Sequence, residues 1–301
     1  MADRLHWETD GADWPHREAS RFVVAGGCRW HVQVMGAVDA PALWLLHGTG
    51  ASSHSWRALL PLLAGSGGWR LVVPDLPGHG FSGRLPAGQQ SLPGMAASLG
   101  ALATALALAP AAIVGHSAGA ALALRSLLDG RLGAQRVLGL NAALLPFDGL
   151  AGRVFAPLAR LLSSQSLVPW LFARQARNPA ALQRLVAATG SRLDPEGLAL
   201  YARLLRSPAH VAGALAMMAD WDLATLWHDL PRLTLPLDLL VATADGTVPP
   251  AQALRVQQRL PATRVQDLAG LGHLAHEEAP SRVAEALLAW LASPAPATAA
   301  A

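Results

Sequence analysis

The sequence predicts an α/β architecture: a mostly parallel eight-stranded sheet flanked by helices, with a helical cap inserted after the sixth strand. Three observations carry this. Eight short β-rich runs recur along the 301 residues, helical patterns separate the later runs, and about ninety residues between the sixth and seventh show helical patterns only.

The first two runs, "RFVVAGG" and "CRWHVQVMG", meet at glycines and read as an opening hairpin. The next four are "ALWLLHG", "WRLVVPDLPG", "AAIVGHSAG" and "RVLGLNAAL", and a hairpin followed by alternating strands and helices means a mostly parallel sheet. After them come "GRVFAPLARLL", "NPAALQRLVAATG", "DPEGLALYARLLR" and "AHVAGALAMMADW", each with helical periodicity. Structureless loops of that length are rare, so these predict a cap over the sheet's active edge. "LDLLVATADG" and "TRVQDLAG" complete the sheet. The expected division is a core over 1–145 and 229–292, a cap over 146–228 and a disordered tail over 293–301.

Composition narrows the chemistry. The chain is 52% hydrophobic and 14% charged, which favours a compact enzyme over a disordered segment. All 23 basic residues are arginine, and the absence of lysine excludes Schiff-base chemistry, lysine-held pyridoxal phosphate and a P-loop lysine. Those arginines are spread along the chain and the net charge is only +3, so no nucleic-acid partner is expected. Cys28 stands alone, which rules out an intrachain disulfide or a cysteine metal cluster and predicts a cytoplasmic address. The first 21 residues mix charges of both signs and do not read as a secretory signal. The longest apolar run, Ala101 to Gly115, is too short for a bilayer and contains Pro110, so no transmembrane segment is expected and peripheral association stays open. No cofactor and no metal are expected.

The chemistry-bearing residues fall at the ends of strands. In "AAIVGHSAGAALAL" an apolar strand enters G-H-S-A-G and leaves as a helix, the pattern of a nucleophile elbow that would thrust Ser117 out above the sheet. G-x-S-x-G arises by chance in chains this rich in glycine, so the strand–turn–helix setting carries the argument. A serine hydroxyl needs a base to take its proton and an acid to orient that base. Asp245 follows the seventh strand and His273 the eighth, in the order Ser, Asp, His; Asp148, after the sixth strand, is the rival acid.

"LGHLAHEEAP" offers a second histidine, His276. The H-x-x-H spacing differs from the H-E-x-x-H of zinc helices, and turn-forming "AGLG" and Pro280 bracket it, so a loop is expected to enter a helix near Ser281. His273 is favoured as the base and His276 as a packing or helix-end residue. Two backbone N–H groups must hold the oxyanion. Ala118, directly after the nucleophile, offers one and Thr49 in "LLHGTGASSHSW" the other, although "HGTG" also reads as an ordinary glycine turn. His79 in "PDLPGHGFSG" is expected to brace a loop with Asp75.

At these residues the chain resembles the α/β-hydrolase superfamily from Arg21 to Leu291, with "HGTG", "PDLPGHGFS", "GHSAG", "ADGTVPP" and "GLGHLAHEEAP" in its usual order. One departure is Ala242, where that superfamily often has glycine. Serine at the elbow argues against haloalkane-dehalogenase and epoxide-hydrolase chemistry. A closer resemblance covers nearly the whole chain: "DGADWPHREASRFV", "HGTGASSHSWR", "GLNAALLPF", "TGSRLDPEGLALYARL" and "HVAGALAMMADWDL" look like the BchO-type magnesium-chelatase accessory family of bacteriochlorophyll synthesis. That resemblance implies a place in the pigment pathway and does not supply a reaction.

Two functions follow as expectations. One is a serine hydrolase of a carboxylic ester or thioester, whose small-molecule partner is an ester or a tetrapyrrole bound between cap and sheet. There Phe155, Trp170, Phe172, Trp221 and Trp227 would cover the ring, and Arg153, Arg160, Arg174, Arg177, Arg184, Arg203 and Arg206 would meet its carboxylates. The bland reading of those residues is core packing and solvated charge. The alternative function is a non-catalytic accessory protein that binds a tetrapyrrole or contacts magnesium-chelatase subunits.

Overall fold

The computed structural model describes residues 4–146, 167–175 and 178–293. Eight strands form one sheet: β1 Ser20–Ala25, β2 Cys28–Met35, β3 Ala42–Leu46, β4 Arg70–Pro74, β5 Pro110–His116, β6 Arg136–Leu140, β7 Leu237–Ala242 and β8 Arg264–Leu268. Their order is β1-β2-β4-β3-β5-β6-β7-β8. β1 and β2 pair antiparallel across Gly26 and Gly27, both at positive φ, β2 meets β4 antiparallel, and every other pairing is parallel. Each of the eight β-rich runs is a strand of this sheet.

The helices before β6 are α1 Trp7–Asp10, α2 Leu60–Ala64, α3 Leu92–Leu106 and α4 Ala118–Leu128. Between β6 and β7 lie α5 Leu167–Gln175, α6 Pro179–Ala188, α7 Pro195–Leu205, α8 Pro208–Ala219 and α9 Leu223–Asp229. α10 Ala251–Arg259, α11 Ala275–Glu278 and α12 Pro280–Ala292 follow. The periodicity of 152–162 and the 294–301 tail lie outside the described residues, as do Asp148, Arg153, Phe155, Arg160 and Arg177.

Side-chain alternation along the strands divides the core in two. On β3, Trp44 and Leu46 join Trp30, Leu99 and Leu122 on the face covered by α3 and α4. Leu43 and Leu45 join Leu60, Val114 and Leu287 on the face covered by α2 and α12. Full burial of one such side chain is worth roughly 1.5–3 kcal/mol.

Three helices between β6 and β7 start on one local signal. Asn178, Asp194 and Ser207 each accept a first-turn N–H with their side chain, and a proline follows at once. The middle one, α7, is tied to the core by Arg57, whose Nη1 donates to buried Glu277 Oε2 at 2.7 Å and whose Nη2 donates to Asp194 Oδ1 at 2.8 Å. Tyr201 Oη donates to Glu277 Oε1 at 2.8 Å.

The base segment differs from expectation in one respect. The helix expected near Ser281 is α12, opened by Pro280, which needs no N–H donor in a first turn, but His276 ahead of it falls in the single turn of α11 and not in a loop.

Candidate active site

Ser117 joins β5 to α4 with φ 53 and ψ −118, a conformation that costs a non-glycine residue energy and survives only where the surroundings impose it. The surroundings here are backbone. A Cβ on Gly115 would run into Ala120, and one on Gly119 would run into the Leu46 carbonyl, so both flanking glycines are required for the strand and helix to approach. Ser117 N–H donates to Leu140 O at 3.0 Å and its carbonyl accepts from Ala143 N–H at 3.2 Å, which locks the turn to β6.

The loop after β3 is pressed against this turn. A Cβ on Gly48 would stand 3.0 Å from Ser117 Cβ and 3.0 Å from His116 Nδ1. His47, fully buried, accepts from Leu76 N–H at Nε2 (2.9 Å), which leaves the proton on Nδ1 to donate to Gly48 O at 2.8 Å. That carbonyl belongs to the same peptide group as the Thr49 N–H, so the bond sets where the Thr49 amide points. His210 of α8 holds the other side: it accepts from Gly80 N–H at 3.0 Å and donates to Gly50 O at 3.1 Å. Burial lowers His210 to about 4, which keeps the ring neutral and this tautomer in place. Thr49 Oγ1 lies 3.5 Å from Met217 Sδ of the same helix. Ala118 is the first residue of α4, where N–H groups lack intrahelical acceptors.

Asp245 and His273 come together from the loops after β7 and β8. His273 Nδ1 is 2.7 Å from Asp245 Oδ2, and both residues are buried. Asp245 Oδ1 accepts from Thr247 N–H (2.7 Å) and Val248 N–H (2.8 Å), so the carboxylate is fully engaged and its orientation fixed. The His273 carbonyl accepts from His116 Nε2 at 2.9 Å and Asn141 Nδ2 at 2.8 Å. Through His116, the neighbour of Ser117, the base loop is bonded to the elbow.

His276 has a different environment. Its ring lies tilted against Trp56 and His116, with centroid distances of 4.5 Å to each, and neither nitrogen has a partner. Burial, with the nearby His273 and Arg57, pushes it down to about 3, so it is a neutral aromatic packing group. Helix-end bonding is therefore not its role.

Another pairing differs from expectation. Asp75 binds His31 Nδ1 at 2.8 Å and accepts from Ser53 and Phe81 N–H, whereas His79 Nδ1 donates to Pro77 O at 3.2 Å. The charge that braces the loop is held by a strand residue, because β2 runs beside β4 and sets His31 against the carboxylate.

The aromatic and arginine residues between β6 and β7 divide. Trp221 and Trp227 pack on the main core, with Arg259 over the Trp227 ring at 5.0 Å. Arg203 is committed to Asp13 through two bonds of 2.6 and 2.9 Å. Trp170, 43% exposed, has Arg174 above it at 5.9 Å, and Arg184 and Arg206 are exposed.

Sequence reasoning missed Asn141, His47, His210 and the turn at Thr189–Ser191. Asn141 has φ 47, a region asparagine tolerates better than most residues, and its position at the end of β6 was the available signal.

The alpha/beta hydrolase family matches residues 45–286. The magnesium-chelatase 30 kDa subunit of Rhodobacter capsulatus is 40% identical over 280 residues, 93% of this chain and 97% of that protein. Pyrrolizixenacetamide deacetylase of Xenorhabdus hominickii is 27% identical, covering 87% of this chain and 95% of that protein. Among solved structures, an esterase from Exiguobacterium antarcticum superposes with a TM-score of 0.72 at 21% identity, over 90% of this chain and 99% of that one, a likeness of fold. The chain belongs to the alpha/beta hydrolase family and, within it, to the family of the magnesium-chelatase 30 kDa subunit.

Proposed function

We propose that this protein is a serine hydrolase of ester-like bonds, a carboxylic ester or thioester, acting in the cytoplasm within bacteriochlorophyll biosynthesis. The observation that carries the reading is the 2.7 Å contact of His273 Nδ1 with Asp245, on loops bonded to the strained Ser117 turn. In this mechanism Ser117 Oγ attacks the substrate carbonyl while His273 Nε2 takes its proton. The Thr49 and Ala118 amides hold the oxyanion, and Asp245 stabilises the imidazolium that forms. His273 returns the proton to the leaving group, then activates water to release the acyl group. The described helices between β6 and β7 cap the site, and the ligand class is a small ester or a tetrapyrrole carrying one.

The accessory reading rests on a different observation, the 40% identity to a magnesium-chelatase subunit. In that case the fold holds a tetrapyrrole or contacts the chelatase without turnover. One experiment separates the two. Fluorophosphonate labelling that is abolished in Ser117→Ala supports the hydrolase. No labelling, together with saturable quenching of tryptophan fluorescence by magnesium protoporphyrin or its monomethyl ester, supports the accessory role.

A further inference from the structure

We infer that the Thr189–Gly190–Ser191 turn, which follows α6 in the helical segment between β6 and β7, is a positioning element for the acid–base pair. It rests on the hydrolase reading and assigns a part of that site to the insertion.

The geometry is a clamp made of backbone. The Thr189 carbonyl accepts two N–H bonds, from Gly246 at 3.0 Å and from His273 at 3.0 Å. One oxygen thus holds the residue after Asp245 and the base itself. Ser191 Oγ accepts from Leu274 N–H at 2.8 Å, on the other side of His273. The approach is close enough to demand three glycines. Gly190, at φ 79, would drive a Cβ into the Ala244 carbonyl, and a Cβ on Gly272 would strike the Gly190 backbone and Ser191 Oγ. One on Gly246 would lie 2.6 Å from Ala188 O.

The turn is itself held. Leu182 and Val186 of α6 pack with Leu274, Tyr201 and Ala51 in a separate buried cluster, and Thr189 Oγ1 donates to Val186 O at 2.6 Å. The two strand-end loops have their own cross-links, Ala244 N–H to Leu271 O at 2.9 Å and Gly270 N–H to Thr243 Oγ1 at 2.8 Å. Joining the loops therefore does not require the turn. What the turn adds is confined to the residues that carry or adjoin Asp245 and His273, so it governs their alignment and not the closure of the sheet.

The test uses the full-length protein and Gly190→Ala, Ser191→Ala and Ser191→Thr, the last of which keeps the hydroxyl acceptor. Four quantities are read: kcat and KM for an aryl ester, the far-downfield proton resonance of the His273 N–H bonded to Asp245, and thermal stability. Because small misplacements of reacting groups cost up to about 100-fold, Gly190→Ala is expected to lose about 100-fold in kcat and Ser191→Ala about tenfold, at KM within about twofold. The resonance should broaden or vanish in both, and Ser191→Thr should restore rate and resonance. Folded variants that keep both the resonance and a kcat within about twofold of wild type would overturn the proposal. Should Gly190→Ala not fold, the Ser191 pair decides alone. Should the wild type neither turn over an ester nor label with fluorophosphonate, the hydrolase reading fails separately. The resonance in folded Ser191→Ala then decides: its loss supports the clamp and its persistence rejects it.

Discussion

His273 Nδ1 stands 2.7 Å from Asp245 Oδ2, while the carbonyl of the same histidine accepts from His116 and Asn141. The ring is thus oriented by the Asp245 carboxylate and its backbone by the ends of β5 and β6. The other histidine of the segment, His276, has no polar partner at all. Asp245→Asn should therefore lose about 10⁴-fold in kcat, because the amide favours the wrong tautomer, and Ser117→Ala and His273→Ala should lose at least as much. His276→Ala should cost less than about tenfold per folded molecule. Steady-state hydrolysis of an aryl ester checks the ranking, and equal losses at the two histidines would contradict it.

Asn141 carries three bonds across the sheet's active edge. Its Oδ1 accepts from Ala242 N–H at 2.8 Å and its Nδ2 donates to Gly272 O and His273 O at 3.2 and 2.8 Å. Asn141→Asp is close to isosteric but turns an oxygen toward two carbonyls. It should lose about 100-fold in kcat and about 2 kcal/mol of stability, measured by ester turnover and urea unfolding. Asn141→Ala, which removes the repulsion as well as the bonds, should be the milder change. An aspartate variant as active as wild type would show that the base loop does not depend on β6.

The strands and the Ser, Asp and His candidates were legible because their signals are local. Apolar runs bounded by glycine mark buried strands, and a glycine on each side of Ser117 marks a turn whose purpose is steric. The quoted stretches for α6 and α7 begin on their caps, Asn178 and Asp194, whereas that for α8 begins at Ala209, past the Ser207–Pro208 pair that caps it. What could not be read was any partnership made by folding alone. Asp75 pairs with His31, 44 residues away, and not with nearby His79. The Thr189 carbonyl meets His273, and His210 meets Gly50, only because the insertion folds back over the strand ends. Nothing in the type or spacing of those residues announces a contact across the sheet.

Buried neutral histidines make an acid-sensitive fold. Burial lowers His47, His54, His79, His116, His210 and His276, the fifth to about 4 and the sixth to about 3. In the unfolded chain these groups protonate near 6.5. Below that pH the unfolded state therefore binds more protons, and stability present above about pH 6.5 is lost as pH falls toward the folded values. His210 and His276, at about 4 and about 3 in the folded protein, each contribute a loss of roughly 2 kcal/mol between pH 7 and pH 5, and the other four act in the same direction. Glu277 works in the opposite sense. Burial raises its carboxyl to about 7, so its contribution is present at acid pH and lost as pH rises through 7. One group against six leaves the net slope set by the histidines. Urea unfolding should show stability falling by several kcal/mol from pH 7 to pH 5. His276→Phe, which keeps an aromatic ring against Trp56 and His116 without a proton site, should flatten the slope by about one proton. An unchanged slope would mean that His276 titrates freely in the folded protein.

The His47 ring tests the oxyanion site without touching the nucleophile, the base or the acid. Its Nδ1–H bonds the Gly48 carbonyl at 2.8 Å, and the Thr49 N–H at the other end of that peptide is the candidate donor. A carbonyl held by a hydrogen bond keeps its peptide from flipping and polarises the N–H, both of which matter most when negative charge develops on the substrate oxygen. His47→Ala removes the bond and leaves Leu76 N–H, which donates to Nε2 at 2.9 Å, without an acceptor. The expected outcome is a fall of about 10²–10³-fold in kcat with KM little changed, and a parallel slowing of fluorophosphonate labelling, whose adduct places an oxygen in the same position. Stability should fall by about 1–3 kcal/mol from the unpaired amide, so rates are to be compared per folded molecule. If His47→Ala is less stable but labels and turns over at the wild-type rate, the Thr49 amide is not an oxyanion donor, and the glycines of "HGTG" serve only to let the loop pass close to Ser117.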